Sequence, residues 1–131
     1  MEEAMSEHLD QQVLSMRLTA ARQAGDRTDE ALCLNNLGYT CWLTGEHDKA
    51  LTWYEQSLLI HRELGDRQGE SITMSNIART YDDQGKCAQA LETYQQSLSI
   101  AREIGDRERE GMTLDNIGRL YHDQGDYEQA L

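Results

Sequence analysis

The stretch that decides the fold is Asn76-Ile77-Ala78-Arg79-Thr80-Tyr81-Asp82-Asp83-Gln84-Gly85, continued by Lys86-Cys87-Ala88-Gln89-Ala90-Leu91-Glu92-Thr93-Tyr94. Its apolar members recur at helical spacing. Met74, Ile77, Ala78 and Tyr81 stand at i, i+3, i+4 and i+7, one face of a helix. After Gly85 a second periodic run begins with Ala90, Leu91, Tyr94, Ser97 and Leu98. A glycine at the break can take the left-handed conformation that ends a helix, so the stretch reads as two helices joined by a tight turn.

Working outward, the same pattern returns on both sides. Gly25-Asp26-Arg27 recurs as Gly65-Asp66-Arg67 and Gly105-Asp106-Arg107, a period of 40 residues without gaps. Asn36, Asn76 and Asn116 fall in register, as do Gly45, Gly85 and Gly125, and Ala50, Ala90 and Ala130. Leu34, Leu37, Gly38 and Cys41, and Leu114, Ile117, Gly118 and Tyr121, copy the helical face of the central unit. At the second kind of break, Gly25, Gly65 and Gly105 stop one helix. Asp26, Asp66 and Asp106 start the next by accepting from its exposed amides. Small residues at Gly38, Ala78 and Gly118 mark where two helices approach closely, with tyrosines filling the wider gaps. Gly125 is expected to end a helix as Gly45 and Gly85 do.

This pattern, Asn-Leu/Ile-Gly/Ala followed by Gly-x-x-x-x-Ala-Leu-x-x-Tyr over Asn36–Tyr54 and Asn76–Tyr94, resembles the tetratricopeptide repeat. The match is to the lengthened 40-residue variety found in animal cell-polarity scaffolds, kinesin light chains and bacterial regulators. It departs from the family at Cys41, where an aromatic is usual, at Leu34, where Trp often stands, and at Ser57 and Ser97, where Ala is common. The resemblance implies an all-α fold of tandem antiparallel helix hairpins stacked as a right-handed solenoid. It divides residues 1–131 into a capping helix or degenerate repeat at 7–24, repeats at 26–63 and 66–103, and a truncated third repeat at 106–131. Residues 126–131 are expected to begin a last helix that stops short, which reads as a fragment of a longer array.

Composition agrees with helices. The 131 residues contain no Pro and no Phe, 38% are hydrophobic, and the mean hydropathy is −0.75. The net charge of −12 disfavours a nucleic-acid backbone or an anionic membrane as partner. Cys33, Cys41 and Cys87 lack any CxxC spacing and read as reduced, small apolar residues of a cytoplasmic protein.

By resemblance, the first helix of each pair lines a concave groove, and this transfers to named positions. They are Asn36, Asn76 and Asn116; Tyr39, Arg79 and Arg119; Trp42, Asp82 and His122; and Leu43, Asp83 and Asp123. Leu32, Ile72 and Met112, and Asn35, Ser75 and Asp115, complete the set. An Asn amide donates to one backbone carbonyl and accepts from a backbone amide, so equivalent Asn residues suit an extended peptide irrespective of its side chains. The alternative is that each Asn braces a neighbouring helix. Arg79 and Arg119 suit a ligand carboxylate, or pair internally with Asp82, Asp83, Asp115 or Asp123. Tyr39 and Trp42 offer an apolar anchor, or Trp42 packs on the capping helix. Leu32, Ile72 and Met112 are expected mainly in core or rim packing.

No nucleotide-binding, hydrolase, metalloprotease or calcium-loop motif occurs, and the four His residues have no ligand spacing to any Cys. The sequence therefore points to a non-catalytic protein- or peptide-binding module with no catalytic, cofactor or metal site. The alternative reading is the sensor or oligomerisation part of a larger regulator, such as a signalling ATPase, transcription regulator or protease. Apolar residues Ile117, Leu120 and Tyr121 near an open C-terminal end point further to self-association.

Overall fold

The computed structural model describes the backbone of residues 2–130 and the side chains of residues 10–125. Six helices follow one another: α1 (Glu2–Ala24), α2 (Arg27–Leu43), α3 (His47–Leu64), α4 (Arg67–Asp83), α5 (Cys87–Glu103) and α6 (Arg107–Ala130). No strand occurs among the described residues. The fold is all-α, with α2/α3 and α4/α5 as successive helix pairs. The chain divides into two compact units, Met1–Asp66 and Arg67–Leu131. In the first, α2 packs against both α1 and α3; in the second, α5 packs against both α4 and α6, and α6 also touches α4.

The glycine breaks have the geometry that the sequence requires. Gly25, Gly45, Gly65, Gly85 and Gly105 all have φ between 67° and 78°, a region costly for any residue with a Cβ. After each, the next amide reaches back over the last helical turn: Asp26 N to Ala21 O at 2.9 Å, Glu46 N to Cys41 O at 2.9 Å, and Lys86 N to Tyr81 O at 2.8 Å. These bonds satisfy carbonyls that the helix end would leave orphaned. The aspartates then act as expected. Asp26 Oδ1 accepts from Asp29 N, and Asp106 Oδ1 from Arg109 N, each at 3.0 Å.

The arginine of the Gly-Asp-Arg turn has its own role. Arg27 donates to Glu30 one turn on, at 2.7 Å, and to Glu63 at the end of α3. Arg67 repeats this with Glu70, at 2.9 Å, and Glu103 at the end of α5. Each guanidinium thereby ties the start of a hairpin to its finish. Arg22 adds a bond from α1 to Glu30, at 3.1 Å, and Arg102 one from α5 to Glu110, at 3.0 Å. Burial would raise the Glu30 carboxyl, but the bonds from Arg22 and Arg27 outweigh it and hold the group below its ordinary value.

Each unit has a core of small and large residues in alternation. In unit 1, Leu18, Ala31, Cys33, Leu34, Leu37 and Ile60 are buried together, with Leu14 and Trp53 against them. In unit 2, Ala78, Ala90, Tyr94 and Leu120 form the cluster, joined by Tyr81, Cys87, Leu91 and Ile117. A Cβ built on Gly38 would lie 2.6 Å from the Tyr54 ring, so the close approach is real at this position. The departures from the family also find reasons. Ser57 Oγ donates to Ala31 O across α2/α3, and Ser97 Oγ to Ser71 O across α4/α5, both at 2.8 Å. Cys41 gives up the aromatic ring of its counterpart Tyr81. Trp53 stands where the copy has Thr93, and its indole N–H donates toward the Cys41 sulfur.

Two expectations fail. The capping helix begins at Glu2 rather than residue 7. More informatively, α6 runs straight through Gly125, which is absent from the positive-φ glycines. At Gly45 and Gly85 the chain turns because the following helix, of 18 or 17 residues, packs back on its predecessor. The expected placements of Asp126, Ala130 and Leu131 side chains lie outside the described residues.

Candidate functional site

The first helix of each pair is stripped of freedom on most sides by packing, so its remaining exposed positions define the candidate site. On α2, Leu34, Leu37 and Cys41 are buried, leaving Leu32, Asn36, Tyr39 and Leu43 at or near the surface. Tyr39 stacks on the half-buried Trp42 with ring centroids 5.7 Å apart. Leu32 is 50% and Leu43 54% exposed, so this face of unit 1 is an apolar, aromatic one with Asn36 at its centre. Leu32 belongs to that face and not to the core. The same holds for Met112 on α6, at 44%.

In unit 2 the corresponding face is polar. Asn76 and Arg79 on α4 are half-buried, as is Asn116 on α6, where Arg119 is exposed. Arg119 Nη2 donates to Asn116 Oδ1 at 3.2 Å, a bond between residues one turn apart on α6 itself and not a brace to a neighbouring helix. Asp82 and Asp83 end α4, where the helix dipole disfavours negative charge and no basic residue offsets it in the last turn. Burial raises the Asp82 carboxyl, with Asp83 and then Asp123 pushing further the same way and Arg119 pulling against them. Asp82 is therefore within electrostatic reach of both Asp83 and Asp123. Beneath them the buried Tyr94 phenol is pushed up to about 12, chiefly by burial, with Arg79 and Arg119 opposing and Asp82 and Asp83 adding to the shift. It stays protonated at any ordinary pH.

Ser75 departs from expectation. Placed on the exposed face by its repeat position, it is instead 5% exposed, with its Oγ 2.7 Å from Ser97 Oγ. A hydroxyl is short enough to turn inward and join the α4/α5 contact. The residues missed from sequence are Arg27 and Arg67, whose partners Glu63 and Glu103 lie 36 residues away. Their signal was the repeated Arg of Gly-Asp-Arg, which a reading centred on the turn itself leaves without a role.

The cysteines are free, with Cys33 and Cys41 buried; burial pushes both thiols up, so neither is poised as a nucleophile. No group of three or more His, Cys, Asp or Glu side chains able to hold a metal ion occurs among the described residues. No described helix is long and apolar enough to cross a membrane.

Helix hairpins of this length, closed by Gly turns and repeated every 40 residues, define a helical-repeat protein. The tetratricopeptide repeat family matches residues 9–62, 29–103 and 83–131, and the chain belongs to that family. No curated protein gives a significant match. Among solved structures, the apo form of RapI is 18% identical with a TM-score of 0.84, covering 98% of this chain and 47% of its own. BtubC (BKLC) from P. vanneervenii is 22% identical with a TM-score of 0.76, over 95% of this chain and 52% of that one. A signal transduction ATPase with numerous domains and a tetratricopeptide repeat sensor, from Pyrococcus horikoshii, is 17% identical with a TM-score of 0.73, over 91% and 21%. The chain thus spans about half the length of the first two and a fifth of the third. At these identities the likeness is one of fold. Members of the family are generally protein-interaction modules and typically non-catalytic.

Proposed function

We propose that the chain binds an extended or helical protein segment on the exposed faces of its first helices. Asn76, Asn116, Arg79, Arg119, Asp83 and Asp123 serve in unit 2, and Asn36, Tyr39 and Trp42 in unit 1. The observation that carries this reading is the crowding of Asp82, Asp83 and Asp123 at the C-terminal end of α4 in unit 2, with Arg119 beside them. A Lys or Arg side chain of the ligand suits this acidic cluster, while Arg79 and Arg119 suit a carboxylate. The Asn amides hold the ligand backbone, and the Tyr39–Trp42 pair gives an apolar anchor. Fold alone does not name the ligand.

The test is selection of peptides from a displayed random library against the whole chain, followed by titration of the best binder. Asn76→Ala/Asn116→Ala and Arg79→Ala/Arg119→Ala are each expected to weaken binding by about tenfold or more. Unchanged affinity in both double variants places the site elsewhere.

A second reading, favoured by the likeness to the ATPase with a repeat sensor, is that these hairpins form the sensing or oligomerising part of a larger regulator. The neighbouring coding sequence decides it, and the absence of any effector domain there removes it. Self-association through α6 is a third. Of the three residues expected to form that surface, Leu120 is buried at 1% exposed and Ile117 is half-buried, which leaves Tyr121, 51% exposed, with Leu114 at 43% beside it on the face whose counterpart in α2 is buried; light scattering showing a monomer at high concentration refutes it.

A further inference from the structure

We propose that unit 1 carries a pocket for a small free molecule with a phenol ring, at the position where the first repeat lacks the aromatic side chain of the other two. Position 41 is Cys, against Tyr81 and Tyr121 in the copies. In unit 2 the Tyr81 ring packs on the core and Lys86 lies 6.0 Å from its centroid. In unit 1, Trp53 makes up only part of the missing volume, and a cavity of about 360 Å³ remains. Its lining includes Leu37, Cys41 and Trp53, with Ser15 from α1 and Glu46 and Lys49 from the α3 end. The space is an open cleft, and its volume lies at the lower end of small-molecule sites, about 300–1,000 Å³.

The chemistry of the lining selects the ligand. Leu37 is 3% and Cys41 4% exposed, so they form an apolar floor, and the Trp53 indole gives a wall on which a ring can pack. Where the copy has Lys86 against its own tyrosine ring, this repeat has Glu46, an acceptor suited to a hydroxyl donor at the mouth. An unfilled apolar wall forfeits dispersion contacts that a ring restores. The pocket uses Leu37 and Cys41, a different face of α2 from Asn36 and Tyr39, so it stands apart from the peptide-binding reading.

The probe is p-cresol, titrated into the full chain while amide chemical shifts and tryptophan emission are recorded. Saturable shifts at residues around Leu37, Cys41 and Trp53 are expected, retained in Cys41→Ala and lost in Cys41→Tyr, which supplies the ring in cis. Should Cys41→Tyr fail to fold, Ser15→Trp at the exposed rim closes the mouth and is expected to weaken binding by more than about tenfold. No saturable response in the natural chain, or undiminished binding in the plugged variant, overturns the proposal. A tyrosine flanked by glycines in a capped pentapeptide is the second probe, and its binding more tightly than p-cresol overturns the assignment to a free molecule.

Discussion

Ser97 sits at the centre of three buried hydroxyls, and truncating it separates two costs that usually come together. Its Oγ donates to Ser71 O at 2.8 Å and lies 2.7 Å from Ser75 Oγ and 3.1 Å from Ser71 Oγ. Having given its one proton to the carbonyl, it accepts from Ser75. Ser97→Ala therefore removes a bond worth about 1 kcal/mol and leaves the Ser75 hydroxyl buried without that acceptor, a further 1–2 kcal/mol or so. In unit 1 the counterpart Ser57 donates to Ala31 O at 2.8 Å, and the residue facing it carries no hydroxyl. Ser57→Ala is thus expected to cost about 1 kcal/mol, and Ser97→Ala about 2–3 kcal/mol. Urea unfolding followed by circular dichroism measures both, with amide exchange on α4 and α5 locating the loss if the units unfold separately. The double variant Ser75→Ala/Ser97→Ala removes donor and acceptor together and is expected to be more stable than Ser97→Ala alone. Equal costs at Ser57 and Ser97, or a double variant that simply adds the two losses, refutes the reasoning.

Other outcomes follow from single positions. Gly38→Ala is expected to destabilise by about 1–2 kcal/mol, because the Cβ meets the buried Tyr54 ring at 2.6 Å. Gly118→Ala at the same repeat position has open space and is expected to gain up to about 1 kcal/mol from helix propensity; thermal melts of the pair check both. Gly65→Ala forces a Cβ into φ 67° and is expected to cost about 1–2 kcal/mol, read from urea midpoints. Glu30 is held ionised below its unfolded value, so its contribution is complete above the unfolded glutamate pKa and is lost as pH falls through the lower folded one. Glu30→Gln is expected to flatten the stability profile in that acid window and nowhere above it, as denaturant midpoints against pH measure.

Much of the fold was legible because its signals are local. A glycine that takes positive φ at Gly25, Gly65 and Gly105, and an aspartate that accepts from the amide three residues on at Asp26 and Asp106, leave their identity in the sequence. Gly125 misled for the same reason. Asp123-Gln124-Gly125 repeats Asp83-Gln84-Gly85, yet α6 continues through it, so this local signal does not by itself stop a helix. Ser57, Ser97 and Cys41 read only as departures from a family pattern, since the reason for each is an atom on another helix: Ala31 O, Ser71 O and the Trp53 indole. The candidate site divides along the same line. Asn36, Asn76 and Asn116 were placed by register alone, whereas the inward turn of Ser75 and the approach of Asp83 and Asp123 to Asp82 depend on which side chains meet.

The Arg27–Glu63 and Arg67–Glu103 ties close each hairpin with partners drawn from its own 40 residues. A segment copied in tandem therefore carries both halves of its clasp with it, along with its turn glycines and its cap. Growth of such an array by duplication asks nothing new of the residues already present. The copies are then free to diverge one at a time, as Cys41 and Trp53 have from Tyr81 and Thr93, without loosening the neighbour that stayed as it was.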